Sequence, residues 1–313
     1  MYKLRNWIPY EKLDFREFCR NDHPGVISFL EQHPEKIEWN QLSSNPSAIH
    51  LLIQNQDKIV WRTLCSNPNA VHLLEKNLDK IVWLHLCENT NPEALRLLQQ
   101  HVNLQSTYWT MSMYWDYLSS NPSAIELLEK NLSRITWECL SENPNAIHIL
   151  EKNQDKINWH VLSRNPNAIH LLEQNQDKIN WYALSENPNA LSLLGKNRGR
   201  IDWRGLSKNP NFLTFMKQYP DIYIFDGYKI ESFSQNPDKI SFLEKNPEKI
   251  NWTHFSKNSA IFEYDYSAMK KARSELLEEL VSVVFHPRNM PCFNSLGLEE
   301  FDYEPNARLK LKD

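Results

Sequence analysis

The sequence predicts an all-α chain, an α-solenoid of ten short helix-pair repeats closed by a longer C-terminal capping helix. Three observations carry that expectation. Trp39, Trp61 and Trp83 stand 22 residues apart, and Trp115, Trp137, Trp159, Trp181 and Trp203 repeat the spacing. Pro46, Pro68, Pro122, Pro144, Pro166 and Pro188 each precede a tryptophan by 15 residues. The chain also holds 11 Trp but only 6 Gly, none adjacent to another. A fixed short period marks a stacked array. Scattered glycine excludes the phosphate-cradling loops of P-loop and dinucleotide-binding folds and argues against a large all-β protein.

The elements follow in order. A leading half unit, EKLDFREFCRN (11–21), puts Phe15 in the tryptophan slot. Ten units then begin at Pro24, Pro46, Pro68, Pro92, Pro122, Pro144, Pro166, Pro188, Pro210 and Pro237. Phe225 takes the tryptophan slot in the ninth and Trp252 in the tenth. Residues 165–186, NPNAIHLLEQNQDKINWYALSE, show the unit most clearly. Asn165 is expected to cap a first helix, with Pro166 at its first position, where no N–H is needed. Ala168, Ile169, Leu171 and Leu172 form its apolar face. Asn175 is expected to end it in a left-handed conformation, which would explain the scarcity of glycine. Asn180 then caps a shorter helix bearing Trp181 and Leu184, and Thr136, Asn158, Asp202 and Asn251 fill the same slot. Such short helices are unstable alone and must bury their faces against neighbouring units. At about 8–10 Å per unit, an open array would span about 90 Å.

The expected organisation is an N-terminal cap and half repeat (1–23), the repeats (24–258) and a C-terminal helix with its tail (259–313). Insertions near 100–114 and 226–232 interrupt the lattice. Ser267 to Phe285 reads as one helix with Met269, Ala272, Leu276, Leu280 and Val283 on a single face, suited to cover the last repeat. The net charge of -4 argues against nucleic acid as the partner. The five cysteines include no CxxC and fit free thiols in a reducing compartment. MYKLRNWIPYEK lacks the apolar core of a signal peptide, and no membrane span is expected.

The phrases NPNAIHLLEQNQDKINW and WIPYEKLDF resemble the short tandem-repeat proteins abundant in giant nucleocytoplasmic DNA viruses. The ending IFEYDYSAMKKARSELLEELVSVVFHPRN is similar to the module that often closes those arrays. The resemblance implies a viral product in the cytoplasm of an infected cell, leaves packaging in the virion open, and implies no enzyme activity, catalytic residue or cofactor.

Each column with possible chemistry also has a structural reading. His50, His72, His148 and His170 share one slot, read as solvated because ligands one repeat apart are too distant for a compact metal site. Cys19, Cys65 and Cys87 stand where other units have Ser and read as inert. Lys58, Lys80, Arg134, Lys156, Lys178 and Arg200 form a basic ladder that could follow a phosphate backbone. Asp57, Asp79, Asp155 and Asp177 precede four of these and favour solvated ion pairs. The tryptophan column reads as core rather than as a stacking platform.

Two features remain as candidate partner-binding sites for another protein. The position after each tryptophan varies while its flanks stay constant: Arg62, Leu84, Asp116, Glu138, His160, Tyr182 and Arg204 occupy it. A changing exposed column on a constant lattice suits recognition of an extended partner. The insertion carries Tyr108, Trp109, Met111 and Met113 off the lattice, where aromatic and Met side chains suit a binding patch or a local mini-core. The alternatives are nucleic-acid binding along the basic ladder and an enzyme using His101, His286 or Glu300.

Overall fold

The computed structural model describes residues 1–101, 112–219 and 233–284. They are mostly helical, with short helices recurring at the tryptophan period and one longer helix, Tyr266–Val284. Two short strands, β1 (Tyr2–Leu4) and β2 (Phe262–Tyr264), form a two-stranded sheet. The chain divides into two compact units, Tyr2–Glu263 and Met1 together with the residues from Tyr264 onward.

Within one repeat, Asn165 accepts from the Asn167 N–H at 3.0 Å and holds a proline turn. The regular helix starts later than expected, at Ile169, and runs to Gln174. Asn175 ends it with φ −129°, so the expected left-handed cap is not used. Instead the Asn175 amide donates back to the Leu171 carbonyl at 3.0 Å, satisfying an orphan acceptor of the last turn with its side chain. A 3-10 turn, Gln176–Lys178, leads into the second helix, Trp181–Glu186. Asn180 caps that helix by accepting from the Ala183 N–H at 2.8 Å. Asn158, Asp202 and Asn251 cap in the same way, whereas the Thr136 hydroxyl donates to Asp116. Ala168, Leu171, Leu172, Ile179 and Leu184 are buried.

The units are joined by a buried asparagine ladder. Asn165 Nδ2 donates to the carbonyls of Ser141 (3.1 Å) and Asn143 (3.0 Å) in the preceding unit. Asn45, Asn67, Asn89, Asn121, Asn143, Asn187, Asn209, Asn236 and Asn258 make the same pair of bonds to their own predecessors. The insertion after His101 does not break the series, because Asn121 still reaches Cys87 and Asn89.

A second ladder runs beside it. The hydroxyls of Ser43, Ser119, Ser141, Ser163, Ser185 and Ser234 each accept the N–H at the cap position 17 residues later. Cys19 and Cys65 accept the Glu38 and Val82 N–H groups through sulfur at 3.4 and 3.3 Å. The Ser-to-Cys exchange therefore preserves an acceptor. Burial pushes the Cys19 thiol up to about 11 and the Cys87 thiol up to about 12, so neither supplies a thiolate at neutral pH.

Both ladders close on themselves, and the expectation of an elongated array with two free ends is corrected. Asn21 Nδ2 donates to the carbonyls of Ser256 and Asn258, each at 3.2 Å, across more than 230 residues. The Ser256 hydroxyl accepts the Asp14 N–H at 2.8 Å. Lys257 pairs with Glu17 at 2.6 Å, and the Arg5 N–H donates to the Ile261 carbonyl at 3.0 Å. The leading half unit supplies a second helix, Phe15–Phe18, but no first helix of its own. Residues from Asn258 to Glu263 supply the start of a first helix but no second, and the β1–β2 ribbon stands in its place. The two chain ends thus complete one unit, and the residues expected to form a separate N-terminal cap are lattice. In this unit the exposed end of the last repeat is covered by the first.

The second unit is simpler. Asp265 accepts from the Ala268 N–H at the start of the helix Tyr266–Val284, which matches the expected span. Met269, Leu276, Leu280 and Val283, expected to be covered, are 39%, 64%, 59% and 58% exposed.

The ring topology has a measurable consequence. Asn165→Ala leaves two buried carbonyls and one turn N–H without partners, which costs about 2–4 kcal/mol in urea unfolding. Closure requires Asn21→Ala to cost about the same, since the seam uses the same bonds. A loss below about 1 kcal/mol at Asn21 alone would show that the ring is open in solution. Asn167→Ala, which removes one exposed bond to the Pro144 carbonyl, should cost only about 0.5–1 kcal/mol.

Candidate functional site

The expected columns take up distinct positions on the lattice. Tyr108, Trp109 and Met111 lie outside the described residues, as do Tyr223, Phe225, Tyr228, His286 and Glu300. Met113 sits in the first turn of the helix Ser112–Ser120 and is 49% exposed. His101 is exposed and stacks on Trp83 with ring centroids 6.0 Å apart.

The tryptophans are only partly core. Trp115 is 3% exposed, but Trp61, Trp137, Trp159 and Trp181 are half-buried at the core's edge. Their outer faces carry the basic ladder. Lys80, Lys156 and Lys178 place Nζ 4.4–4.7 Å from the ring centres of Trp61, Trp137 and Trp159, each on the preceding unit. Arg200 lies 5.2 Å from Trp181 in the same way, and Lys12 lies 5.4 Å from Trp252 across the seam. A cation over an indole gains from the ring quadrupole while its head stays hydrated. The expected Asp–Lys pairing is present at Asp57–Lys58 (3.3 Å). The histidine slot is likewise tied to the preceding unit: His50, His148 and His170 pair with Glu31, Glu129 and Glu151 at 2.6–3.1 Å. Among the described residues no three or more His, Cys, Asp or Glu side chains converge where a metal ion could be held.

The varied column lies on the second helices. Arg62, Glu138, His160 and Arg204 are exposed, and Leu84, Asp116 and Tyr182 are half-buried. Neighbouring second helices pack closely, as at Trp181–Glu186 against Trp203–Lys208. A Cβ on Gly205 would lie 2.4 Å from the Tyr182 carbonyl oxygen, so only glycine permits that approach. The spacing links column residues to the next unit. Arg62 Nε donates to His85 Nε2 at 2.7 Å, and His85 Nδ1 faces Glu88 at 3.2 Å. This assigns the proton to Nδ1 of a neutral imidazole. His160 Nδ1 lies 2.7 Å from the Asn180 amide.

The densest polar cluster surrounds Tyr182. Lys208 Nζ donates to its hydroxyl at 2.7 Å and reaches Glu186 at 3.1 Å. Arg164 closes on the other side of Glu186 at 2.7 Å. The Arg204 guanidinium lies 5.7 Å from the Tyr182 ring and pairs with Asp202 at 2.9 Å. Burial alone would raise the Glu186 carboxyl, but bonds from Tyr182 and Lys208 and the charge of Arg164 outweigh it and leave it below the ordinary carboxylate range. An open cleft of about 430 Å³ adjoins, lined by Arg164, Glu186, Lys208, Pro210, Gln235, Asn236 and Pro237. Arg164, Glu186 and Lys208 were not singled out in the sequence, although they stand 22 residues apart with alternating sign. That alternation was the available signal.

A depressed carboxyl pKa adds stability that is complete above the unfolded value, about 4.3, and is lost as pH falls through the folded value. The difference in unfolding free energy between the native chain and Glu186→Gln should therefore shrink between pH 6 and pH 3. A difference independent of pH would show that Glu186 gains nothing from its cations.

Comparison with protein-family models, with curated proteins and with solved structures returned no match, so a functional reading rests on this geometry.

Proposed function

We propose that the chain is a non-enzymatic helical repeat scaffold that binds another protein through the varied column of its second helices. One observation carries the reading. The lattice groups of each unit are satisfied by neighbouring units, while the column side chains differ from unit to unit and are exposed or half-exposed. Exposed side chains with no part in the lattice are free to specialise. Closure adds support. A ring has a shorter inner than outer circumference, and the close packing of second helices favours placing them, and the column, on the inner side. Arg62, Tyr182 and Arg204 are of the residue types that dominate binding energy at interfaces.

The basic ladder reads as structural, because its cations are engaged with indoles of the preceding units. On the strength of the resemblance of NPNAIHLLEQNQDKINW, the same proposal takes the chain as a viral product acting in the cytoplasm of an infected cell. Among the described residues no helix is long and apolar enough to cross a membrane.

The test uses extracts of the cells in which the protein is made. Arg62→Ala, Tyr182→Ala and Arg204→Ala combined should lose a specific protein that the native chain retains, with circular dichroism confirming the fold. His50→Ala, His148→Ala and His170→Ala combined, on the first helices, should retain it. Equal retention by both variants, or no specific protein retained by the native chain, would refute the proposal.

A further inference from the structure

The helix Tyr266–Val284 is the largest regular element among the described residues, and its apolar side is uncovered. Met269, Leu276 and Val283 recur every seven residues, and Arg273 and Leu280 recur between them. This is the two-position heptad stripe of a helix that packs on another helix. Leu277 widens the stripe and is 44% exposed. Met1 lies alongside, and with Met269, Ala272, Leu276 and Leu280 it lines an open groove of about 470 Å³. A soluble surface rarely presents so many large apolar side chains together without a partner.

The charges along the helix indicate what the partner is. Lys270, Lys271 and Arg273 lie in its N-terminal half, and Glu275, Glu278 and Glu279 follow in its C-terminal half. The within-helix pair Lys271–Glu275 is long (3.8 Å) and both side chains are mostly exposed, so it neutralises little of this asymmetry. A helix with one basic and one acidic half is complementary to its own reverse. Two copies set antiparallel bring the basic half of each beside the acidic half of the other, whereas a parallel pair sets like charges together.

We propose that the face of Tyr266–Val284 carrying Met269, Leu276, Leu280 and Val283 is a docking surface for the same face of a second copy of this chain, with the two helices antiparallel. A helix of 19 residues spans about 28 Å. An interface of that length is at the small end of those that hold two proteins together, so the association is concentration-dependent. It uses a surface separate from the varied column and neither requires nor excludes protein binding there.

Sedimentation equilibrium of the full chain tests the proposal. The native chain should pass from monomer to dimer as its concentration rises. Leu276→Glu with Leu280→Glu should weaken the dimer at least tenfold without lowering the melting temperature, since both side chains are exposed. Lys270→Glu, Lys271→Glu and Arg273→Glu combined should also weaken self-association, because an antiparallel pair then sets acidic halves together. Mixing that variant with Glu275→Lys, Glu278→Lys and Glu279→Lys combined should restore a dimer of one of each. A native chain that stays monomeric, including one that instead binds anionic lipid vesicles, would overturn the proposal. So would a dimer indifferent to the leucine changes. Self-association unaltered by the Lys/Arg-to-Glu changes would overturn the antiparallel arrangement.

Discussion

The architecture depends on one interaction, the buried asparagine side chain that joins three backbone groups. In every unit its oxygen accepts the N–H that starts a proline turn, and its amide donates to two carbonyls of the unit before. Buried backbone groups must be paired, and short helices leave many of their end groups without partners. The ladder meets this demand and sets unit spacing at the same time. Serine or cysteine beside it accepts one further N–H per unit, so the polar interior is satisfied by position rather than by chance contact.

Closure follows from the same requirement. An open array would leave the carbonyls of its last unit and the asparagine amide of its first unit without partners, and would expose an apolar end. Here Asn21 meets Ser256 and Asn258, and the two chain ends build one unit between them. Joining the ends has an entropic cost that grows only slowly with the length of chain between them. A full set of ladder bonds, a strand pair and the Lys257–Glu17 ion pair offset it.

The outer columns show how a repeat converts sequence position into contact. A residue and its counterpart 22 positions away become neighbours, so slots that look independent along the chain form rows. The cation-on-indole row and the histidine–glutamate row both join successive units. They also change the meaning of the tryptophans. The indole is neither fully core nor a free platform, since one side seals the core edge and the other holds a cation. The cluster of Arg164, Glu186 and Lys208 around Tyr182 is the same effect among residues of alternating charge.

The sequence alone determined the period, the two helices of each unit, the cap residues Asn158, Asn180, Asp202 and Asn251, the long helix Tyr266–Val284 and the exposed column. These are local properties, set by apolar spacing, proline and capping chemistry within about 20 residues. The candidate column was legible for the same reason: it is the slot that changes while its neighbours do not. Tertiary structure decided what depends on the meeting of distant residues. It turned Asn165 from a helix cap into a link between units, gave Asn175 a side-chain cap in place of a left-handed backbone, and set cations over the tryptophans. It also closed the array. No local pattern reports that Asn21 and Asn258 will meet, because closure is set by a small rotation per unit summed over the whole chain, and that rotation is fixed only when the units pack.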